Sequence, residues 1–189
     1  MMDSYGRYKS ARNAAWQCLL DYHITELPVN LLRIVQESGI EVRKNSSAHI
    51  LTGGQSGILI KLGNIWYLVY DDECVIGRRR FTIAHELGHL FLGHPFVSKS
   101  YGIALDSSFP DTEMEADLFA SRLLMPACVL WKLGATSAED ISRVCNVSRA
   151  AASNRERRMK ILLERNAFLS SPLEQKVFEQ FRPWIEKRW

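Results

Sequence analysis

The chain has 189 residues, of which 47% are apolar and 24% charged, with a formal net charge of +3 at pH 7. That length allows one good-sized core, or a catalytic domain with a small helical appendage. No apolar run approaches the ~20 residues that cross a bilayer, and so small an excess of positive charge does not by itself point to nucleic acid.

The start, Met1 to Arg7, has no apolar stretch after a basic one, so neither a signal peptide nor an anchor is read there and a cytoplasmic location is expected. Cys18, Cys74, Cys128 and Cys145 are far apart with no C-x-x-C pair, which fits reduced, mostly buried thiols. Residues 8 to 22 place Ala14, Ala15, Trp16, Cys18, Leu19 and Leu20 at helical spacing, and Leu27 to Ser38 repeats the pattern before Gly39 closes it. "IEVRK" follows as a short strand. "GILIKLGNIWYLVYDD" reads as a hairpin turning at Gly63-Asn64, with Gly at the first turn position favouring type II′.

A helix is predicted from about Arg79 until Gly93 and Pro95 stop it, then a loop of 15 residues, then a helix over "DTEMEADLFASRLLMP" that Pro126 ends. Two or three further helices fill the remainder. The order of helices, strands and helices argues an α+β fold: a small twisted sheet or hairpin packed with an active-site helix, followed by a helical segment. The divisions read from this order are an N-terminal helical extension over 1–26, a catalytic domain over 27–130 and a helical segment over 131–189.

The chemistry lies in the middle helix, where His85-Glu86-Leu87-Gly88-His89 has the pattern H-E-x-x-H. Residues four apart share a helix face, so His85 and His89 can offer two imidazoles to one tetrahedral cation. Glu86 projects beside that pair, where it can hold and deprotonate water without being a ligand. Ala84 and Gly88 allow close approach of another helix, while Ile83, Leu87, Leu90 and Phe91 supply a buried face.

A catalytic zinc needs a third protein ligand and an open position. His94 lies one residue short of the spacing in the extended motif H-E-x-x-H-x-x-G-x-x-H, and Leu92 stands where that motif has Gly. A helix-terminal His beside free carbonyls is its plain alternative. Glu113, 24 residues past His89, is the better candidate. It shares a face with Asp117 and with the small residues Ala116 and Ala120, so it can ligate while Asp117 accepts the spare N–H of a ligand His. The alternative for Glu113 is an acid favoured by the helix dipole. Glu115 points about 200° away and cannot share the site; with Thr112 it reads as a capping box.

"RRRFTIAHELGHLFLGH" followed by "EMEADLFASRLLMP" resembles the ImmA/IrrE family of metallopeptidases, in which these two helix motifs recur in this order. The likeness spans about residues 27 to 165, and the hairpin and the "VCNVSRAAASNR" helices also sit where the family has them. The resemblance implies a zinc-dependent endopeptidase with a thermolysin-like core and one Zn2+ per chain: His85, His89 and Glu113 on the metal, Glu86 as base and Asp117 behind. It also implies a protein substrate, a helix-turn-helix repressor, in mobile-element or stress-response regulation. Asp117 stands where Asn is commoner in the family, and either accepts a hydrogen bond. Substrate is expected to add as a strand at the edge of the Gly57 to Tyr70 sheet. Tyr101 and His94 are candidates for stabilising the oxyanion.

From Arg143 to Arg165 seven basic residues face two acids. "AEDISRVCNVSRAAASNRERRM" fits a helix-turn-helix, with Arg149, Asn154, Arg155, Arg157 and Arg158 on its second helix suited to phosphates or base edges. DNA-binding or protein-binding regulation with an inactive metal centre is therefore the rival function; docking of substrate, cover for the catalytic domain, or a solvated arginine face are the other readings of the segment. Arg78 to Arg80 read as a solvated loop, or Arg80 as an anchor through Asp71 or Asp72. Trp184 and Trp189 mark a C-terminal helix that docks by its aromatic side. No sequence feature decides the trigger or the oligomeric state.

Overall fold

The computed structural model describes residues 4–99, 102–105, 109 and 111–188. Helix α1 spans Ser4–Asp21 and α2 spans Leu31–Glu37. The second is shorter than its periodicity predicts because it begins only where Asn30 accepts a hydrogen bond from the Arg33 N–H. Strand β1 (Ile40–Lys44), the single turn α3 (Asn45–Ala48), and strands β2 (Gly57–Leu62) and β3 (Ile65–Tyr70) follow. The hairpin register runs from Gly57 opposite Tyr70 to Leu62 opposite Ile65, which leaves Gly63-Asn64 as its loop. Gly63 takes φ +59° while Asn64 stays out of the left-handed region, as a II′ turn requires.

The stretch after the motif helix is a second hairpin rather than a loop: β4 (Phe96–Lys99) pairs antiparallel with β5 (Gly102–Leu105). β5 joins β2 through Ile60 and Lys61, so the sheet has five strands in the order β1-β3-β2-β5-β4. Only β1 runs parallel to its neighbour. β2 is thus an interior strand, which corrects the expectation of an open hairpin edge. Yet its pairing with β5 stops at Ile60, and Gly57 to Leu59 have no strand partner on that side among the described residues.

Helix α4 (Ile76–Phe91) carries the motif and starts three residues earlier than its pattern predicts. Arg78 to Arg80 therefore lie in its first turns and not in a loop. Arg80 Nη2 donates to the Val29 carbonyl at 2.8 Å; Asp71 and Asp72 instead hold Cys74 and Ser46. Helix α5 (Asp111–Leu124) crosses α4 where Gly88 faces Ala116: a Cβ at Gly88 would lie 3.1 Å from the Ala116 Cα. The fully buried Leu87, Phe119, Leu123 and Leu124 fill the space on either side. Each such side chain stabilises the fold by about 1.5–3 kcal/mol.

The rest is helical: α6 (Ala127–Lys132), α7 (Ala138–Cys145), α8 (Arg149–Glu164) and α9 (Pro172–Glu186). α7 and α8 are capped by Ser137 and Ser148 and joined at Asn146, which takes a left-handed φ of 51°. Their turn sits against the start of α4, where a Cβ on Gly77 would meet the Ser148 nitrogen at 2.6 Å. α9 buries Val177, Phe181 and Ile185, and Gln180 donates to the carbonyls of Leu19 and Ile24. Trp184 lies half-buried beneath the Arg188 guanidinium, and Trp189 lies outside the described residues. One apolar cluster runs from Ala15 through the sheet and α4 to Ile185. Among the described residues no helix is long and apolar enough to cross a membrane. Cys18, Cys128 and Cys145 are buried free thiols, and the half-buried Cys74 donates to Asp71.

Candidate metal centre

Helical spacing alone brings His85 and His89 to one face of α4, where their Nε2 atoms lie 3.0 Å apart. The close crossing at Gly88 then delivers the first turn of α5. Glu113 places one carboxylate oxygen 3.2 Å from His85 Nε2 and the other 3.5 Å from His89 Nε2. Donors held at ~2.1 Å around a tetrahedral cation lie roughly 3.4 Å from one another. These three residues therefore have the spacing of one shared ion, and their ligand atoms all fall within 4.8 Å.

The hydrogen bonds behind the rings decide which nitrogen is free to bind. Asp117 Oδ1 lies 2.9 Å from His85 Nδ1. A carboxylate only accepts, so Nδ1 carries the proton and Nε2 presents its lone pair to the site. His89 reaches the same state by a longer route. His94 Nε2 donates to Glu115 Oε2 at 3.0 Å, its bare Nδ1 accepts from His89 Nδ1 at 2.8 Å, and His89 Nε2 is left with a lone pair. Arg7 of α1 closes the chain, paired with Asp111 and 3.9 Å from the other oxygen of Glu115.

His94 reaches this place through the end of α4. The Gly93 N–H bonds to the Leu90 carbonyl and the His94 N–H to that of His89, with Gly93 at φ +67°. This double closure of a helix terminus folds the chain back across its last turn. His94 is 7% exposed with both ring nitrogens on protein partners, so neither is left to ligate a metal or to donate to an oxyanion. Both sequence-based roles for His94 are corrected by this geometry. The capping box is corrected as well: Thr112 lies within α5 and donates to the Phe109 carbonyl, and Glu115 turns to His94 and Arg7. Glu115 does point away from the metal face, yet it acts on that face through His94. Tyr101 lies outside the described residues.

Glu86 lies between α4 and the sheet, hydrogen-bonded by the Leu59 N–H. Burial, reinforced by the nearby Glu113 carboxylate, raises its pKa from an ordinary 4.5 to about 7, against the lowering pull of His85 and of Leu59. A carboxylate so placed takes and returns a proton near neutrality. Burial, with His85 and His94 adding to it, lowers the pKa of His89 to about 3, so that ring stays neutral. Burial works against a charge on His85 too, but the Asp117 hydrogen bond and the surrounding carboxylates outweigh it and raise that pKa. A cavity of about 500 Å3 opens over these groups, floored by α4 and walled by Gly57, Ile58 and Leu59 of β2. Gly57 is required there: a Cβ would lie 2.4 Å from the Thr82 methyl and 3.4 Å from a Glu86 oxygen.

Two imidazoles and a carboxylate from crossed helices, with a second carboxylate beside them under a sheet, define a metallopeptidase-like centre. Residues 35–156 match the peptidase family described as the IrrE N-terminal-like domain, and the chain belongs to that family. The resemblance carried by the two helix motifs is to the same family. No curated protein matches the chain.

Proposed function

We propose that the protein is a zinc-dependent endopeptidase whose substrate is a helix-turn-helix transcriptional repressor. The observation that carries the reading is the convergence of His85, His89 and Glu113 beside a base-competent Glu86, in a cavity open enough to admit a peptide. Two imidazoles and a carboxylate suit zinc. The ion, when bound, supplies the Lewis acid that polarises a peptide carbonyl and makes water acidic.

The residues of the chain do the rest. His85 and His89 are held in the metal-binding tautomer by Asp117 and His94. Glu86 takes the proton of the attacking water and returns it to the leaving amine as the peptide bond breaks. Gly57 to Leu59, without a strand partner on the β5 side and lining the cavity, offer an extended substrate their free backbone groups, the Leu59 N–H being held by Glu86.

DNA binding by α7 and α8 is less well supported. Arg155 is buried, Arg149 lies 3.7 Å from Glu139, and Lys160 pairs with Glu156. The helix-turn-helix junction is itself packed on α4 at Gly77. The deciding experiment incubates the zinc-loaded protein with helix-turn-helix repressors, first the one encoded nearest its own gene. Cleavage that a chelator stops and Glu86→Gln abolishes supports the proposal; cleavage by Glu86→Gln at the wild-type rate refutes it.

A further inference from the structure

A second concentration of charge lies inside the helical part of the fold, away from the metal ligands. Arg155 of α8 is 2% exposed, and its Nε and Nη2 have no hydrogen-bond partner among the described residues. Arg122 of α5 is 6% exposed and gives its hydrogen bonds to the Tyr8 hydroxyl and Ser121 Oγ, both uncharged groups. Arg158 has a buried Nε without a partner among the described residues, and its guanidinium lies 5.2 Å from the centre of the Tyr8 ring. Arg12 faces the same small cavity, whose one carboxylate is Glu174. Burial raises the pKa of Glu174, against the Ser170 N–H and nearby arginines that oppose the rise.

Among the described residues, four guanidinium groups around a single buried carboxylate leave a positive charge unanswered. A buried cation without a partner costs several kcal/mol, and native folds pair such groups. Water in the cavity would satisfy N–H groups but leave that charge in place. The cavity has about 40 Å3 of free space, where one water needs roughly 10–15 Å3. It therefore has room for a compact ion and none for an organic ligand. Guanidinium forks match oxyanions by paired N–H donors. Tyr8 reports the same field: burial works against its ionisation, yet Arg122, Arg158 and Arg155 outweigh that and lower its pKa.

We propose that the cavity enclosed by α1, α5, α8 and the start of α9 is an anion site that takes one compact oxyanion of phosphate size, held by Arg122, Arg155 and Arg158. A wider cavity of about 490 Å3, lined also by Arg78, shares Arg122 and Arg158 with it. The bound anion cross-links α1 and α8 to α5, the helix that carries Glu113 and Asp117.

The test uses the full chain, with inorganic phosphate replacing chloride at constant ionic strength. The expected result is a saturable rise in Tm and calorimetric binding of one phosphate per chain. Arg158→Gln, at a half-buried position, weakens that binding at least tenfold, whereas Arg157→Gln, an exposed change of equal charge, leaves it as in wild type. Arg155→Met abolishes the response and, in chloride, melts no lower than wild type. Glu113→Ala retains the response, which separates it from any effect at the metal centre. If Arg155→Met does not fold, the pair at 157 and 158 still decides. No saturation, or equal loss in Arg157→Gln and Arg158→Gln, overturns the proposal and leaves water as the filling of the cavity.

Discussion

His89 shows how much a single ligand depends on groups that never meet the metal. Its Nε2 is available only because Nδ1 donates to His94, and His94 accepts only because its other nitrogen donates to Glu115. Removing a partner behind a ligand costs typically 10–100-fold in metal affinity, whereas removing a ligand dismantles the site. In competition with a chelator, Glu113→Ala is therefore expected to retain no zinc. Glu115→Ala should bind one zinc per chain with affinity lower by about that 10–100-fold; wild-type affinity would refute the positioning role of His94 and Glu115. The elevated pKa of Glu86 has its own signature in the metal-free protein. A carboxyl with a folded pKa of about 7 and an ordinary value of 4.5 holds its proton more tightly when folded. Its contribution is complete below the lower value and is lost as pH rises through the higher. Metal-free Glu86→Gln should lack this loss, so urea unfolding at pH 5 and pH 8 should show a smaller decline than in wild type. His85, Glu86, His89, Glu113 and Asp117 are legible in the sequence because helical periodicity relates each pair. His94, Glu115 and Arg7 are not: a helix terminus folds the first back, and a contact 104 residues apart joins Arg7 to the start of α5.

Among the elements, the pairing of α4 and α5 sets the position of Glu113. Gly88→Ala gains about 1 kcal/mol of helix propensity, but the new methyl would stand 3.1–3.2 Å from the Ala116 backbone and the Phe119 Cβ. Overpacking of this kind costs about 1–3 kcal/mol. The net expectation is a loss of about 1 kcal/mol in urea unfolding, with weaker zinc binding as α5 is displaced. Unchanged zinc affinity would show that α5 tolerates the shift without moving Glu113. The stripe of small residues that predicts this crossing is plain in the sequence. The strands β4 and β5 are not, since each has only four residues and their Ser-rich surroundings carry no clean alternation. They exist because β2 and β5 complete one another's ladders, a pairing across some forty residues that no local pattern announces.

For the whole molecule, the basic stretch from Arg143 to Arg165 has several fates that composition alone cannot separate. Arg155 turns inward, Arg149 lies near Glu139 of α7, Lys160 pairs with Glu156 one turn away, and Arg157 contacts Asn154. Binding that relies on phosphate contacts weakens steeply with salt. The expected outcome for duplex DNA is no more than weak, sequence-independent association at low salt, lost by physiological ionic strength; tight binding to a defined operator would restore the regulatory reading.

α1 lies wholly ahead of the family match, which begins at residue 35, yet it is not an ornament on that unit. It packs on α5 and α9, buries Ala11, Ala15, Trp16 and Leu19, and supplies Arg7 and Tyr8 to two separate charge networks. At about 1.5–3 kcal/mol for each large apolar side chain uncovered, its loss consumes much of the 5–15 kcal/mol that holds an ordinary domain folded. The borders of common ancestry and those of autonomous folding are therefore not expected to coincide in this chain. A fragment trimmed to 35–156 should give a collapsed, poorly soluble polypeptide without a sharp melting transition, and adding residues 4–34 and 157–188 back in trans is the measurement that would show the halves to be one cooperative body.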